Sequence, residues 1–276
     1  MDIRQLAPGD ADAILRLCSL ARWNQSEQDI RRLLTLEPQG CFAASEAGRV
    51  IGTVTTTTYG SELAWVGMVL VDPGFRRRGI ATALMGAALN YLRARRVTTI
   101  KLDATPEGQA VYERLGFESE GLLERWSGEL PHGRANEPAM GTWEDFAAID
   151  RAAFGADRGA LLRLLIVGTS QAPLVARSPG GKVTGYALTR AGAMATYIGP
   201  LIAEDLPTAS SLLSAVATRC GGLLFIDINT DFPGAADLVR SLGFARQREL
   251  LRMRLGPNAQ VGRSPRVFAI AGPEVG

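Results

Sequence analysis

The chain has little of what several chemistries require. Among its 276 residues there is one histidine, His132, in the loop-like stretch PHGRANEP. A zinc site or a serine–histidine triad would have to be built around that residue alone, so no metal is expected. The three cysteines, Cys18, Cys41 and Cys220, are odd in number and far apart. That excludes a disulfide framework and fits a cytoplasmic protein with reduced thiols. No run of 18 apolar residues is present, so no membrane partner is expected, and the polar start MDIRQLAPGD does not read as a signal peptide. A net charge of only +2, with no basic stripe, argues against a nucleic-acid partner. Neither G-x-x-x-x-G-K-[ST] nor G-x-G-x-x-G occurs, which removes the P-loop and the dinucleotide fingerprint. What remains is ordinary globular material, 46% apolar and 21% charged, long enough for two domains.

Periodicity orders that material. DIRQL reads as a strand and 11–21 as an amphipathic helix. Ser26 is placed to cap a second helix, with Asp29 three residues on. CFAASE and RVIGTVTTTTYG form a hairpin, and LAWVGMVLV (63–71) is apolar throughout, as expected for a strand buried on both faces. A helix over 79–95, the strand VTTIKLD, a short helix ending at Gly116 and a strand around GLLERW close the unit near Pro131. PHGRANEP reads as a linker, which places the domains at 1–136 and 137–276.

The second half repeats this order. KVTG matches RVIG, LLFIDIN matches TIKLDAT so that Asp227 aligns with Asp103, and Leu-Gly-Phe recurs at 115–117 and 242–244. Several matches in one order point to duplication. The copy is unfaithful at one place: DPGFRRRGIATAL in the first half stands against IAEDLPTASSLL in the second.

That place carries the chemistry. VDPGFRRRGIATALM sets three arginines, Arg76, Arg77 and Arg78, and then Gly79 where a helix start ordinarily has Ser, Thr, Asp or Asn. Positive charge there opposes the helix dipole. A strand, a tight glycine turn and a helix start present free N–H groups at the positive end of that dipole. A phosphate or pyrophosphate would serve as the cap, and the arginines would match its charge. A solvated arginine turn is the plain alternative.

Arg76 to Ala81, read as R-x-x-G-x-A, resembles the acyl-CoA binding motif of the GNAT superfamily of N-acyltransferases. The likeness runs in element order from about residue 2 to residue 130 and includes LDATPEGQAVYERLGF, although Thr105 stands where that superfamily often has Asn. The whole chain resembles a tandem arrangement with an active-type first domain and a diverged second one, and the close RVFAIAGPEVG fits such chains. The resemblance implies an α/β (α+β) fold of two tandem domains, each with a mixed, mostly antiparallel sheet flanked by helices. It implies an N-acetyltransferase that moves the acetyl group of acetyl-CoA to a primary amine of a small molecule or peptide. It further implies pyrophosphate binding by the amides of Arg77, Arg78, Gly79, Ile80, Ala81 and Thr82, with Arg76 opening the motif. The pantetheine arm would lie along Met68, Val69, Leu70 and Val71, beside a bulge that Gly67 permits or, alternatively, packs beneath. Tyr112 would protonate the leaving thiolate.

The amine must lose a proton, and Glu62 and Asp103 are the candidate bases. Trp23 and Asn24, in the loop between the first two helices, are candidates to face the acceptor, or else an aromatic packed beside a turn residue. The second domain, without an anion loop, is expected to be structural or to shape the acceptor site, in a monomer or homodimer. The competing functions are a non-catalytic acyl-CoA binding or sensing protein and a nucleotide or nucleic-acid binder that uses the arginines.

Overall fold

Two runs of the same elements follow one another along the chain. The first is β1 (Asp2–Gln5), α1 (Ala11–Leu20), α2 (Glu27–Leu36), β2 (Phe42–Glu46), β3 (Arg49–Tyr59), β4 (Leu63–Val71), α3 (Ile80–Ala94), β5 (Thr99–Ala104), α4 (Pro106–Arg114) and β6 (Glu118–Gly128). The second is β7 (Ala139–Met140), α5 (Trp143–Phe154), α6 (Gly159–Val167), β8 (Leu174–Arg177), β9 (Val183–Arg190), β10 (Thr196–Ala203), α7 (Leu206–Arg219), β11 (Leu224–Asn229), α8 (Ala235–Ser241) and β12 (Ala245–Leu255), followed by β13 (Val267–Ala269). The structure is a computed structural model and describes residues 1–130, 139–169, 171–257 and 265–276. His132, the expected linker and the 136/137 boundary lie outside the described residues.

The local rules hold element by element. Ser26 caps α2 by accepting from the Asp29 amide, and the Asp29 carboxylate accepts in return from the Ser26 amide at 2.8 Å. In α3 the buried residues Ile80, Leu84, Ala88 and Leu92 recur every fourth position, so one face meets the sheet. Every residue of β4 is buried or half-buried, as its unbroken apolar run requires.

All described strands join one sheet, in the order β1-β2-β3-β4-β5-β12-β6-β11-β13-β10-β9-β8-β7. The centre of that order departs from the expectation that β6 closes the first unit. β12 comes from the second run, yet it pairs with β5. β6 comes from the first run, yet it pairs with β11. The two runs have exchanged their last strands, which also pair with each other.

Two buried ion pairs fasten the exchange. Arg252 on β12 grips Asp103 on β5 through two hydrogen bonds, of 2.8 and 3.0 Å. Arg125 on β6 grips Asp227 on β11 in the same way, at 2.7 and 2.6 Å. The arginine of each pair belongs to the strand given away by the other half, so the Asp103–Asp227 match reflects a structural repeat.

Helices α3 and α4 cover one face of the first half and α7 and α8 cover the second, each over its own apolar cluster. A third cluster is shared. It joins Ile14, Leu17 and Leu33 of the first run to Phe146, Leu162 and Tyr186 of the second, together with Ile270 and Val275.

Candidate active site

The arginine turn is open. Asp72 follows β4 directly and is held by Arg16 at 2.7 Å and Arg49 at 2.8 Å, while its other oxygen accepts from the Gly74 amide. The chain then passes through left-handed residues at Arg77 (φ +62°) and Gly79 (φ +75°). Left-handed residues at a loop-to-helix junction turn successive N–H groups toward one concavity. No side chain caps α3, and the amides from Arg77 to Thr82 donate to no protein acceptor among the described residues. A Cβ built on Gly79 would meet nothing within 4 Å, so the corner is not filled by protein. This is the room that an anionic cap requires. The three arginines are not equivalent. Arg78 already pairs with Glu46 at 2.6 Å and lies over the Phe75 ring, whereas Arg76 and Arg77 have no carboxylate partner among the described residues.

A wedge leads inward from this corner. β4 and β5 run parallel and pair only from Leu63–Thr99 to Trp65–Lys101, after which they part. The parting follows a bulge in β4: Thr55 faces Gly67 and Thr53 faces Leu70, which leaves one extra residue on β4. Met68 takes the left-handed conformation at the bulge (φ +52°), and its carbonyl accepts from Thr53 Oγ1 at 2.9 Å. Gly67 has a different role. A Cβ there would lie 2.6 Å from Glu274 Cα and 2.7 Å from Glu274 O, so Gly67 is required by close approach of the 271–276 segment. From Gly67 to Val71, about 13 Å of strand edge lies along the wedge.

At its inner end the wedge opens into a cleft lined by residues of both halves, among them Met68, Leu102, Arg248 and Leu250. Tyr112 on α4 lines it. Burial raises its phenol pKa, so the hydroxyl stays protonated through the ordinary pH range. Trp23 lines it too, placed by the turn at Arg22 that ends α1. Asn24 does not line it: its side chain donates to the Ala195 carbonyl at 2.9 Å and accepts from the Met194 and Ala195 amides, stitching this loop to the second half.

The two expected bases fare unequally. Asp103 lines the cleft but is bound by Arg252, with burial raising its pKa as the largest influence. Glu62 is exposed at the opposite end of β4, where its carbonyl accepts from Thr99, and the strand carries it away from the cleft.

Glu274, which sequence reasoning did not single out, is the buried carboxylate beside Gly67. It accepts from Gln25 Nε2 at 3.1 Å and from Arg190 Nη2 at 3.2 Å. Burial outweighs Arg190 and raises its pKa above the ordinary glutamate value. The segment that brings it is fastened through main-chain carbonyls: Tyr59 donates to Val275 at 2.6 Å, Trp65 to Pro273 at 3.2 Å and Arg158 to Gly276 at 2.9 Å. Arg158, buried against Asp150 and Phe154, thus acts as scaffold. The buried thiols Cys18 and Cys41 are pushed up to about 12 by burial and serve as small core residues.

The second half has the same two features and fills both. Helix α7 is capped by its own Asp205, which accepts from the Thr208 amide at 2.9 Å and sets a carboxylate where α3 has an open turn. β10 and β11 also run parallel for three residue pairs, but β13 lies in the gap beyond them and pairs with both.

Sequence and structure comparisons agree with this geometry. Residues 10–117 match the acetyltransferase (GNAT) family model, and residues 146–269 match a second acetyltransferase (GNAT) domain model. The chain is 28% identical over 246 residues to "Uncharacterized N-acetyltransferase YitH" of Bacillus subtilis (strain 168), covering 86% of this chain and 85% of that one. It is 34% identical over 126 residues to "Acetyltransferase ECA0875" of Pectobacterium atrosepticum, covering 43% of this chain and 89% of that one. A solved structure from Pyrococcus horikoshii has the same fold, with a TM-score of 0.86 and 24% identity over 100% of this chain and 95% of that one. With an open helix end in one half and a self-capped one in the other, the chain belongs to the GNAT family of acyl-CoA-dependent N-acetyltransferases and carries two GNAT domains in tandem.

Proposed function

We propose that the first half (1–136) transfers the acetyl group of acetyl-CoA to a primary amine of a small molecule or peptide, and that the second half (137–276) completes the acceptor side of the same site. The observation that carries this reading is the row of unpartnered amides from Arg77 to Thr82, opening onto a wedge that ends at Tyr112. Those amides, with the cations Arg76 and Arg77, fit a diphosphate. The free edge of Met68 to Val71 fits an arm that adds to the sheet as a strand would. Bound acetyl-CoA supplies the thioester whose carbonyl carbon the amine attacks.

The side chains then divide the proton transfers. Glu274 takes a proton from the amine nitrogen as the new C–N bond forms. Tyr112 gives its proton to the sulfur as the C–S bond breaks. The products are an amide and the CoA thiol, and solvent restores both groups. Burial raises the pKa of both Glu274 and Asp103, but Asp103 is gripped by Arg252 at 2.8 and 3.0 Å, whereas Arg190 holds Glu274 through one longer bond of 3.2 Å, which favours Glu274 as the base. A second active site is not expected, since Asp205 and β13 occupy the corresponding places.

Thiol release from acetyl-CoA with a panel of amines tests the reading. Amine-dependent release, with a product heavier by one acetyl group, supports it. Tight CoA binding with no release for any amine supports a sensing protein instead.

A further inference from the structure

Two side chains that line the cleft each carry a buried polar atom with no hydrogen-bond partner among the described residues. Gln25 is nine-tenths buried, and its Nε2 donates to Glu274, so its Oε1 points away from that carboxylate; it receives no hydrogen bond among the described residues. Arg248 Nε is likewise buried with no acceptor among the described residues. Both side chains line the cleft that holds Tyr112, Gly67 and Glu274. The first atom needs an N–H donor, and the second needs an acceptor.

The Arg248 mismatch is built into the strand exchange. Arg248 on β12 stands directly across from Arg125 on β6. Asp227 occupies the fork of Arg125, so that carboxylate is already taken. Among the described residues Arg248 has no ion pair of its own, and burial together with the Arg125 charge holds its pKa below the usual arginine value. Asp227, Tyr197 and Glu107 oppose this only in part. A guanidinium in that position matches one carboxylate through two parallel hydrogen bonds.

Resting on the acyl-transfer reading above, we infer that the acceptor is an amine that also carries a carboxylate, an amino-acid-type molecule held by Arg248 at its carboxylate and by Gln25 and Glu274 at its nitrogen. The first half supplies Gln25 and the second supplies Arg248 and Glu274, so the acceptor site is complete only with both. One unmatched cation calls for one negative charge, which favours a carboxylate over a phosphate.

The test uses the full chain, acetyl-CoA and matched triplets of acceptors: an amino acid, the amine lacking its carboxylate, and the same amine carrying a phosphate. kcat/KM is read by thiol release, and acceptor binding by calorimetry with CoA present. The expected result is a preference of about tenfold or more for the carboxylate member, corresponding to one lost charge-assisted contact. Arg248→Gln should remove that preference and Arg248→Lys restore part of it, with CoA affinity unchanged in both. Equal kcat/KM across a triplet, preference for the phosphate member, or unchanged selectivity in Arg248→Gln would overturn the inference. So would failure to bind or acetylate any carboxylate-bearing amine while CoA binds normally. Failure to bind CoA at all would instead overturn the acyl-transfer reading, and this inference with it.

Discussion

Adding one methyl group at Gly67 is expected to displace Glu274 without unfolding the chain. In Gly67→Ala the new Cβ would sit 2.6 Å from Glu274 Cα and 2.7 Å from Glu274 O, both main-chain atoms that cannot rotate aside. Carbon contacts are comfortable near 3.5 Å or more, so the 271–276 segment must retreat by roughly 1 Å. Anchors at Tyr59, Trp65 and Arg158 resist that movement. Overpacking of this kind costs about 1–3 kcal/mol, a loss of a few degrees in Tm that a two-domain chain survives. Misplacing a reacting group by about 1 Å costs on the order of a hundredfold in rate. In the proposed arrangement CoA lies along β4 from Met68 onward and on the arginine turn, away from the anchors of the 271–276 segment, so its affinity should hold. Three measurements on one preparation decide: Tm by calorimetry, Kd for CoA by titration, and kcat by thiol release at saturating acceptor. A folded Gly67→Ala chain with wild-type kcat would refute the placement of Glu274 in the reaction.

Other perturbations separate the remaining roles. Tyr112→Phe should lower kcat by about a hundredfold, as loss of a general acid does, with Kd for CoA little changed; equal turnover excludes the acid role. Gly79→Val puts a β-branched residue at φ +75° and a side chain into the open corner, and should weaken CoA binding by about tenfold or more; calorimetry of the folded variant reads it. Glu274 must be ionised to accept a proton, and burial raises its pKa, so kcat/KM should fall as pH drops through a value above the ordinary 4.5, and this acid limb should vanish in Glu274→Gln. Asp227→Asn leaves buried Arg125 without its counter-charge and should destabilise by about 3–5 kcal/mol in denaturant titrations; a change under 1 kcal/mol would show that the pair does not fasten the exchanged strands.

Much of this fold was legible where the signal is local. The bounds of β4, the Ser26–Asp29 cap, the amphipathic helix after Gly79 and the recurrence of Leu-Gly-Phe follow from periodicity, capping and repeat order. The strand exchange carries no local signal, because either copy of the last strand satisfies the same pattern and only long-range pairing chooses between them. One hint was present: Arg125 and Arg252 each stand eight residues beyond the phenylalanine of Leu-Gly-Phe, opposite the matched aspartates.

The site divides in the same way. The open turn and Tyr112 sit in contiguous motifs. Glu274 lies in AGPEVG, a loop-like stretch about two hundred residues from Gly67 that is brought there by tertiary packing. Glu62 borders β4 in sequence, at the end of the strand away from the cleft. Asn24 lies in the loop between the first two helices, where the Ala195 segment takes its hydrogen bonds.

One half of this chain keeps its helix end open, in a shape that fits a diphosphate, while the other has closed its own. Amide hydrogen exchange with and without CoA tests this difference most directly. The expected result is one CoA bound per chain, with new protection at Arg77 to Thr82 and along Met68 to Val71, and none at the start of α7 around Asp205 and Thr208. Protection at α7 instead, or CoA binding that leaves the Arg77 to Thr82 amides exchanging as before, would contradict it.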